Sequence, residues 1–418
     1  MTSVSMSYKI CFQWPTLLPY HVARIRAVIA AVAGRPVEVA VCETASQDIT
    51  GQTNFQPDAA FERYTVCRGK SIAELKPAEV TRDVQSILSR MQPDVVAINS
   101  YSFADARACL AWCIDTDRRA ILMTDSRKQD APRPPWREHL KSKIIQCYDA
   151  AIVAGSPHRQ YLTDLGFPSD RIFEGYDVVD NAFFATGADA ARNNAFEAHS
   201  LPGLTDQTPF FLSVGRMISR KGYPTLLSAY KRYRELTDKP WRLVIVGDGT
   251  LRSELMKETA TRQIDGVTFA GSQPYSAMPT YYGRAEAFIH AASVDQWGLV
   301  VNEAMAAGLP VIVSDGAGCS ADLVVDGSSG FVFPTGNSER LGSLMLKLST
   351  DPSLRESMGR ESRNRIKEWG PDRFAKSVID AAEYALRNPI GRPWAGKWIL
   401  SSLRIAGRSP TAFHTVES

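Results

Sequence analysis

Two acidic residues, Asp295 and Glu303, lie eight positions apart in the stretch SVDQWGLVVNEAMAAGLPVIVSDG, and Gly298 lies between them. The run from 302 to 307 is rich in helix-forming residues and ends at a Gly-Leu-Pro stop, after which an apolar run predicts a buried strand. The pattern therefore predicts a loop that leads into a helix N-terminus, where unpaired backbone N–H groups can meet an anion or a hydroxyl. Two acids flank this turn.

Two cations, Arg216 and Lys221, follow another predicted strand, the apolar run FFLSVG at 210–215, and precede a helix that begins near residue 223. Arg, Lys and a helix N-terminus can together meet the negative charge that develops on a phosphate group. A pair of solvated loop cations is the alternative interpretation when these residues are considered alone. The sequence contains no G-x-x-x-x-G-K-[ST], so a P-loop nucleotide hydrolase is not indicated.

The stretch around Asp295 resembles the glycosyl transferases group 1, or glycosyltransferase family 4. The family signature E-x-F-G-L-x-x-x-E-A-M-A-x-G-x-P-V reads here D-Q-W-G-L-V-V-N-E-A-M-A-A-G-L-P-V, with Asp and Trp in place of the usual Glu and Phe. The resemblance implies that Glu303 binds the ribose hydroxyls of a nucleotide sugar. It also implies that Asp295 and the adjacent backbone N–H groups, at Trp297, Gly298 and Leu299, hold the donor sugar. For an isolated pair of acids, an ordinary helix with a solvated acid at each end is the alternative.

Two further segments are similar to the same family. A Gly-Arg pair followed by Lys-Gly, at 215–222, matches the segment that meets the leaving diphosphate without a metal ion in that family. The run VTFAGS at 267–272 matches a V-x-F-x-G turn that lies beside the nucleotide base. The nucleotide contacts that the resemblance implies here are Gly215, Arg216, Lys221, Ala270, Gly271 and Ser272.

Apolar runs alternate with helical stretches along the whole chain. Continuous apolar strands separated by helices predict parallel sheets covered by helices, and hence the α/β class. The family resemblance implies the GT-B fold, in which two Rossmann-like parallel-sheet domains face a central cleft. We expect an N-terminal acceptor-binding domain at 1–200 and a nucleotide-sugar-binding domain at 201–370. A helix at 371–388 that crosses back to the first domain and a basic, aromatic tail at 389–418 would follow.

The first half of the chain offers fewer diagnostic residues. Parallel sheets bind ligands beyond the carboxyl ends of their strands, so side chains that follow the predicted strands are the candidates. Asp125 follows a predicted strand at 120–124 and is our candidate for a contact to an acceptor hydroxyl, with a turn or N-cap acid as the alternative. His21, at the start of the first helix, is equally consistent with an acceptor contact and with a packing role.

The composition is that of an ordinary soluble globular protein, with 44% hydrophobic and 22% charged residues and seven scattered cysteines. A net charge of +3 gives no argument for a nucleic-acid partner. The cysteine pattern, the lack of a signal core and the lack of a membrane-length apolar run predict a cytoplasmic protein. Basic and aromatic residues mix at 136–147 and 389–418, so each segment could lie peripherally on the inner face of a membrane or pack on the protein.

With the resemblance, these residues predict a retaining, metal-independent hexosyltransferase that moves a sugar from a nucleotide diphosphate sugar to an acceptor hydroxyl. The donor would be a UDP-, GDP- or ADP-sugar, and no cofactor or metal is expected besides it. The acceptor would be a saccharide or lipid-linked saccharide, in polysaccharide or glycolipid biosynthesis. The residues assigned to the chemistry are Arg216, Lys221, Asp295, Glu303 and Asp125. A sugar-nucleotide epimerase of similar fold and a non-catalytic GT-B subunit remain open as alternatives.

Overall fold

The computed structural model describes residues 6–47, 60–71, 74–193, 202 and 208–405. Within these residues the chain divides into two compact units. The first unit contains the described residues up to Asp177 together with those from Pro371 onward, and the second contains those between Val178 and Gly370. The chain therefore leaves the first unit and later returns to it.

The first unit is built on one parallel sheet. Its strands are β1 (Tyr8–Trp14), β2 (Val37–Gln47), β3 (Glu62–Ser71), β4 (Val95–Asn99), β5 (Arg119–Thr124), β6 (Ala150–Val153) and β7 (Ile172–Glu174). They lie in the order β3-β2-β1-β4-β5-β6-β7. The helices between them are α1 (Pro19–Ala31), α2 (Pro77–Met91), α3 (Ala104–Asp115), α4 (Pro135–Ile145) and α5 (Ser156–Asp164). Strands β4 to β6 are almost fully buried, as expected of parallel strands covered by helices on both faces.

The second unit begins with α6 (Asn181–Asn193), which lies within the range 1–200 that we expected for the N-terminal domain. Phe183 stacks on Tyr275 with ring centroids 5.1 Å apart. A Cβ on Gly187 would lie 2.5 Å from Pro279, so the helix packs closely against the segment that begins at Met278. Because α6 packs within the second unit, the observed division falls at 177/178 instead of the expected 200/201.

The rest of the second unit is a second parallel sheet with its covering helices. Its strands are β8 (Phe210–Val214), β9 (Arg242–Val246), β10 (Val267–Gly271), β11 (Ala287–His290), β12 (Val311–Ser314) and β13 (Gly330–Phe333). The helices are α7 (Tyr223–Glu235), α8 (Arg252–Thr261), α9 (Met278–Arg284), α10 (Leu299–Ala306), α11 (Ser320–Leu323), α12 (Ser338–Thr350) and α13 (Pro352–Ile366). The strand order is β10-β9-β8-β11-β12-β13.

This order places a topological switch point between β8 and β11. The chain moves outward from β8 through β9 to β10 and then returns to the other side of β8 at β11. The loops that follow β8 and β11 consequently leave the same sheet edge in opposite directions. Parallel sheets bind their ligands at such a point, so the strand order selects these two loops as the place to look for a site.

Two C-terminal helices complete the first unit. Helix α14 (Pro371–Arg387) packs on α1 and on β5 to β7, and its Phe374 ring lies 6.0 Å from that of Phe12. Helix α15 (Trp394–Ile405) packs on α4 and α3 and occupies part of the expected tail, whose residues 406–418 lie outside the described residues. None of the helices in the described part of the chain is both long enough and apolar enough to cross a membrane.

Candidate active site

The loops after β8 and β11 are joined by backbone hydrogen bonds at the switch point. The loop after β8 carries Arg216 and Lys221, and the loop after β11 carries Asp295. The Ser293 N–H donates to the carbonyl of Arg220 over 2.8 Å. Two of the predicted site segments are therefore held together by the main chain, before any side chain contributes.

A three-residue group of ionisable side chains forms where the two loops meet. Lys221 Nζ lies 2.5 Å and His290 Nε2 lies 2.8 Å from the same oxygen of Asp295, Oδ2. The side chains of Lys221, Asp295 and His290 are 14%, 12% and 4% exposed. Burial by itself would raise the pKa of Asp295, but the Lys221 charge and the His290 hydrogen bond lower it well below its usual range. Asp295 is therefore an ionised carboxylate with a bound cation.

Two glycines allow this close approach. Gly222, which begins α7, has a φ of 69°, and a Cβ there would lie 1.9 Å from the carbonyl oxygen of Ala291. Gly298, which begins α10, has a φ of 104°, and a Cβ there would lie 3.3 Å from His290 Nε2. Any other residue at position 222 would push the β11 loop away, because a left-handed backbone and a backbone collision combine there.

The N-terminus of α10 lies directly after Asp295 in the chain. In the described part of the chain, no acceptor is recorded for the backbone N–H groups of Gly298, Leu299 and Val300. The helix dipole adds partial positive charge at the same place. This end of the helix can therefore donate hydrogen bonds to a ligand's oxygens, as the sequence predicted for Gly298 and Leu299.

The side chain of Trp297 lies in the core of the second unit. Its ring is buried, its indole N–H donates to Asn302 Oδ1 over 2.9 Å, and it packs 5.3 Å from the ring of Trp369. The side chain thus belongs to the core below the loop. Only the backbone of Trp297 is placed to serve a ligand of the loop.

Glu303 lies in the second turn of α10 and is buried beside Tyr282. The Tyr282 hydroxyl donates to Glu303 Oε2 over 2.6 Å. Burial raises the pKa of Glu303 to about 7, against the lowering effect of the tyrosine hydrogen bond. Glu303 is thus a carboxyl group close to half-ionised at neutral pH. Tyr282 was not identified from the sequence, since nothing in PTYYGR distinguishes this tyrosine from a core residue.

The Arg216 side chain is exposed and has no ion pair with any described residue. Its backbone is nevertheless well fixed, because the Met217 N–H donates to the Asp248 carbonyl over 2.8 Å. Gly215 and Gly247 pack so closely that a Cβ on Gly247 would lie 2.0 Å from the Gly215 carbonyl oxygen. The loop therefore presents an exposed guanidinium from a closely packed backbone.

The predicted base-binding turn follows β10, two strands away from β8. The Ala270 carbonyl accepts from the Gln273 side chain over 2.7 Å, and the Gly271 carbonyl accepts from the Gly247 N–H over 2.9 Å. Ser272 is exposed. The turn therefore supports the Gly215 loop through Gly247, and Ser272 is its residue most open to a ligand.

The two candidate residues of the first unit, His21 and Asp125, have different environments. His21 is buried, its Nδ1 accepts from the Leu18 N–H over 3.1 Å, and its ring stacks on Trp14 at 4.5 Å. Burial and the nearby Arg24 lower the pKa of His21 well below its usual value, so His21 is neutral. Its hydrogen bond with the Leu18 N–H caps the N-terminus of α1. Asp125 is partly buried just beyond the carboxyl end of β5, at the sheet edge where a ligand of this unit would bind.

His290 is the principal site residue that the sequence did not assign. The signal was its place at the carboxyl end of β11, five residues before Asp295, which puts it at the switch point.

Comparisons with known proteins agree with this geometry. Residues 196–365 match the family model described as Glycosyl transferases group 1. An alpha-D-kanosaminyltransferase of Streptomyces kanamyceticus is 28% identical over 46% of this chain and 48% of its own length. A GDP-mannose-dependent monoacylated alpha-(1-6)-phosphatidylinositol monomannoside mannosyltransferase of Corynebacterium glutamicum is 31% identical over 40% of this chain and 45% of its own length. The chain thus spans about half the length of these relatives.

A glycosyltransferase structure from Rickettsia africae is similar in fold, with a TM-score of 0.70 and 14% identity. The match covers 91% of this chain and 99% of that one. The expected α/β class with two Rossmann-like parallel-sheet domains, the GT-B fold, is thereby confirmed.

Proposed function

We propose that this chain, which its residues 196–365 place in the glycosyl transferases group 1, transfers a sugar from a nucleotide diphosphate sugar to an acceptor hydroxyl. The observation that carries the proposal is the group of Lys221, Asp295 and His290 at the switch point of the second sheet. A cation, an ionised carboxylate and a helix N-terminus meet there at one sheet edge. A sugar joined to a diphosphate needs this combination, because it presents hydroxyls on one side and negative charge on the other.

Arg216 and Lys221 would bind the diphosphate as its bond to the sugar breaks. The Arg216 guanidinium is unpaired within the described residues and can offer two parallel N–H groups to phosphate oxygens. Lys221 is already oriented by Asp295, so its charge acts without reorganisation at the moment of reaction. Loss of one such donor in other enzymes typically slows turnover by about 10²–10³.

Asp295 and the first N–H groups of α10 would hold the donor sugar, and Glu303 would hold the ribose. Glu303 needs to be ionised to accept hydrogen bonds from two ribose hydroxyls, and burial raises its pKa to about 7. Two hydroxyl donors at that carboxylate would stabilise the ionised form. The turn at Ser272 would lie beside the base, which we leave as uracil, guanine or adenine.

We further propose retention of the anomeric configuration and a reaction without a metal ion. In this path the C1–O bond to the diphosphate breaks and the C1–O bond to the acceptor forms on the same face. The acceptor proton passes to an oxygen of the leaving phosphate. The surroundings of Asp295 support this path over a covalent one, because a carboxylate held by Lys221 and His290, with its pKa strongly lowered, is a poor nucleophile.

The acceptor would be a saccharide or lipid-linked saccharide, as in polysaccharide or glycolipid assembly on the cytoplasmic side of a membrane. The phosphatidylinositol-mannoside mannosyltransferase among the relatives acts on a glycolipid by its name, which supports a similar class here. Asp125, just beyond the end of β5, would contact the acceptor hydroxyl. A peripheral membrane contact belongs to the same proposal.

The test is a thermal-shift screen with UDP-, GDP- and ADP-sugars, each with and without EDTA, followed by a transfer assay. A donor should raise the melting temperature in both conditions, because a ligand that binds only the folded state stabilises it by mass action. Glu303→Gln should reduce that rise, whereas Glu254→Gln, an exposed glutamate on α8, should not. A shift that requires the metal would overturn the metal-free path. Conversion of the donor without any acceptor would identify an epimerase instead.

A further inference from the structure

We propose that α4 and α15 together form a preformed surface that docks on an anionic lipid bilayer. The surface, here called the tryptophan face, consists of Trp136 and Leu140 on α4 and Trp394 and Trp398 on α15. It adds a location for the membrane contact of the proposed function and names its partner. Its argument and its test are independent of the sugar-transfer chemistry.

The tryptophan face is part of the first unit, because α15 is anchored in it. Leu400 is buried in the core of the unit. A Cβ on Gly396 would lie 2.3 Å from Cys147 Sγ and 2.5 Å from the Lys143 carbonyl oxygen, so α15 lies tightly against the end of α4. Just before α15, Arg392 forms a buried ion pair with Asp149 over 2.9 Å. Both helices are therefore fixed before any partner arrives.

Both helices expose large apolar side chains. Trp394 is 80% exposed, Trp398 67%, Trp136 59% and Leu140 38%. In each helix the two exposed residues are four apart and so share one helical face. Elsewhere in the described residues the large apolar side chains that are exposed (Leu236, Met256 and Val325) all lie in the second unit, apart from one another in the sequence. Exposed apolar surface concentrated in this way marks an interaction site.

The charges of the two helices favour anionic lipid as the occupant. Helix α15 contains Lys397, which is exposed, and no acidic residue. The partly exposed cations of α4 are Arg137, which lies 5.1 Å over the Trp136 ring, and Lys143. Indole rings partition into the interface between lipid headgroups and acyl chains, and neighbouring basic residues are attracted to anionic headgroups. A purely apolar protein partner would not need these cations.

The place of Trp136 links this surface to the ligand edge of the first sheet. Trp136 lies in the first turn of α4, which follows β5 after the loop that holds Asp125. A helix that follows a parallel strand begins near the carboxyl edge of that strand. Docking by the tryptophan face would therefore bring the proposed acceptor edge of this unit towards the headgroups, where a lipid-linked saccharide is presented.

The experiment is vesicle co-sedimentation of the full chain. Wild-type protein is mixed with phosphatidylcholine vesicles and with phosphatidylcholine–phosphatidylglycerol vesicles at low and high salt. We expect binding to the anionic vesicles that weakens with salt. Trp394→Ala/Trp398→Ala should weaken it by at least about tenfold, and Lys143→Gln/Lys397→Gln should weaken it at low salt.

The matched control is Met256→Ala/Val325→Ala, which removes two exposed apolar side chains of the second unit and should bind vesicles as the wild type does. Circular dichroism and the melting temperature check that each variant is folded. Wild-type protein that does not distinguish anionic from neutral vesicles would overturn the proposal. So would tryptophan variants that bind like the control. A concentration-dependent dimer that the tryptophan variant abolishes, without vesicle binding in the wild type, would assign the face to a second copy of this chain.

Discussion

Lys221 and Asp295 are 74 positions apart in the chain, and their charged groups are 2.5 Å apart in the structure. Each lies on a loop that follows a different strand, and the two strands, β8 and β11, are neighbours only because the strand order reverses there. The ion pair therefore depends on the topology of the sheet as much as on the two residue types. Its position brings the segments predicted to bind the diphosphate and the sugar into contact with each other.

The first prediction concerns the coupling of this pair. Asp295→Asn should destabilise the protein by about 3 kcal/mol, because it leaves a largely buried Lys221 without its carboxylate. Lys221→Met should destabilise it similarly, by removing the cation from the buried Asp295 carboxylate. The double variant should lose much less unfolding free energy than the two single variants lose together. Urea unfolding of the four proteins measures the interaction free energy, and additive losses would contradict the assigned pair.

The second prediction concerns the pH dependence of stability at Glu303. Burial raises its pKa from 4.5 to about 7, so between these values the folded protein keeps a proton that the unfolded chain has lost. The free energy of unfolding should therefore fall as the pH rises from 4.5 to 7, by about 3 kcal/mol in total from this residue. Glu303→Gln removes that dependence, so its free energy of unfolding should rise relative to that of the wild type as the pH increases from 4.5 to 7. Urea melts from pH 4.5 to 8 test it, with Glu254→Gln as the exposed control.

The third prediction separates chemistry from stability at Arg216. Because its side chain is exposed and unpaired among the described residues, Arg216→Ala should leave the melting temperature unchanged. If it neutralises the leaving diphosphate, kcat/KM should fall by about 10²–10³. Arg232→Ala removes a comparably exposed arginine from α7 and should leave both quantities at wild-type values. Equal activity in the two variants would remove Arg216 from the proposed mechanism.

The fourth prediction isolates the close approach at Gly222. Gly222 and Gly327 have similar backbone angles, with φ of 69° and 78°, but only a Cβ at 222 meets another atom, the Ala291 carbonyl oxygen at 1.9 Å. Gly327→Ala should therefore lower the free energy of unfolding only by the strain of a left-handed alanine, about 1–2 kcal/mol. Gly222→Ala should lower the free energy of unfolding by clearly more than this. It should also weaken donor binding, because the added Cβ would push the two site loops apart. Equal losses would show that the loops are not tightly joined.

The sheet architecture and the ligand loops of the second unit could be predicted from the sequence. Continuous apolar runs mark its strands, and Gly298, Glu303 and Lys221 carry a specific spacing. His290 and Tyr282 could not be assigned from spacing, because their significance comes from contacts with Asp295 and Glu303 in three dimensions. The place of His290 at the end of an apolar run indicates the ligand edge of the sheet, but it does not identify Asp295 as the partner.

Helix α6 could not be predicted as part of the second unit for a different reason. Its buried face consists of Phe184, Ala188 and Ala191, and alanines in a segment rich in small polar residues resemble a linker. The partner that makes this face a packing surface, α9, lies about ninety residues later in the chain. Small side chains allow such close helix packing, and they also hide it from hydrophobicity patterns.

The return of the chain to the first unit at Pro371 has a consequence for synthesis on the ribosome. The surface that α14 covers with Phe374, Val378 and Ala381 stays bare until the whole second unit has been made. The second unit is then complete in sequence while the first, though begun earlier, still lacks a helix. Nascent chains halted before residue 371 should therefore expose an apolar face of the first unit, and we expect chaperones to bind them.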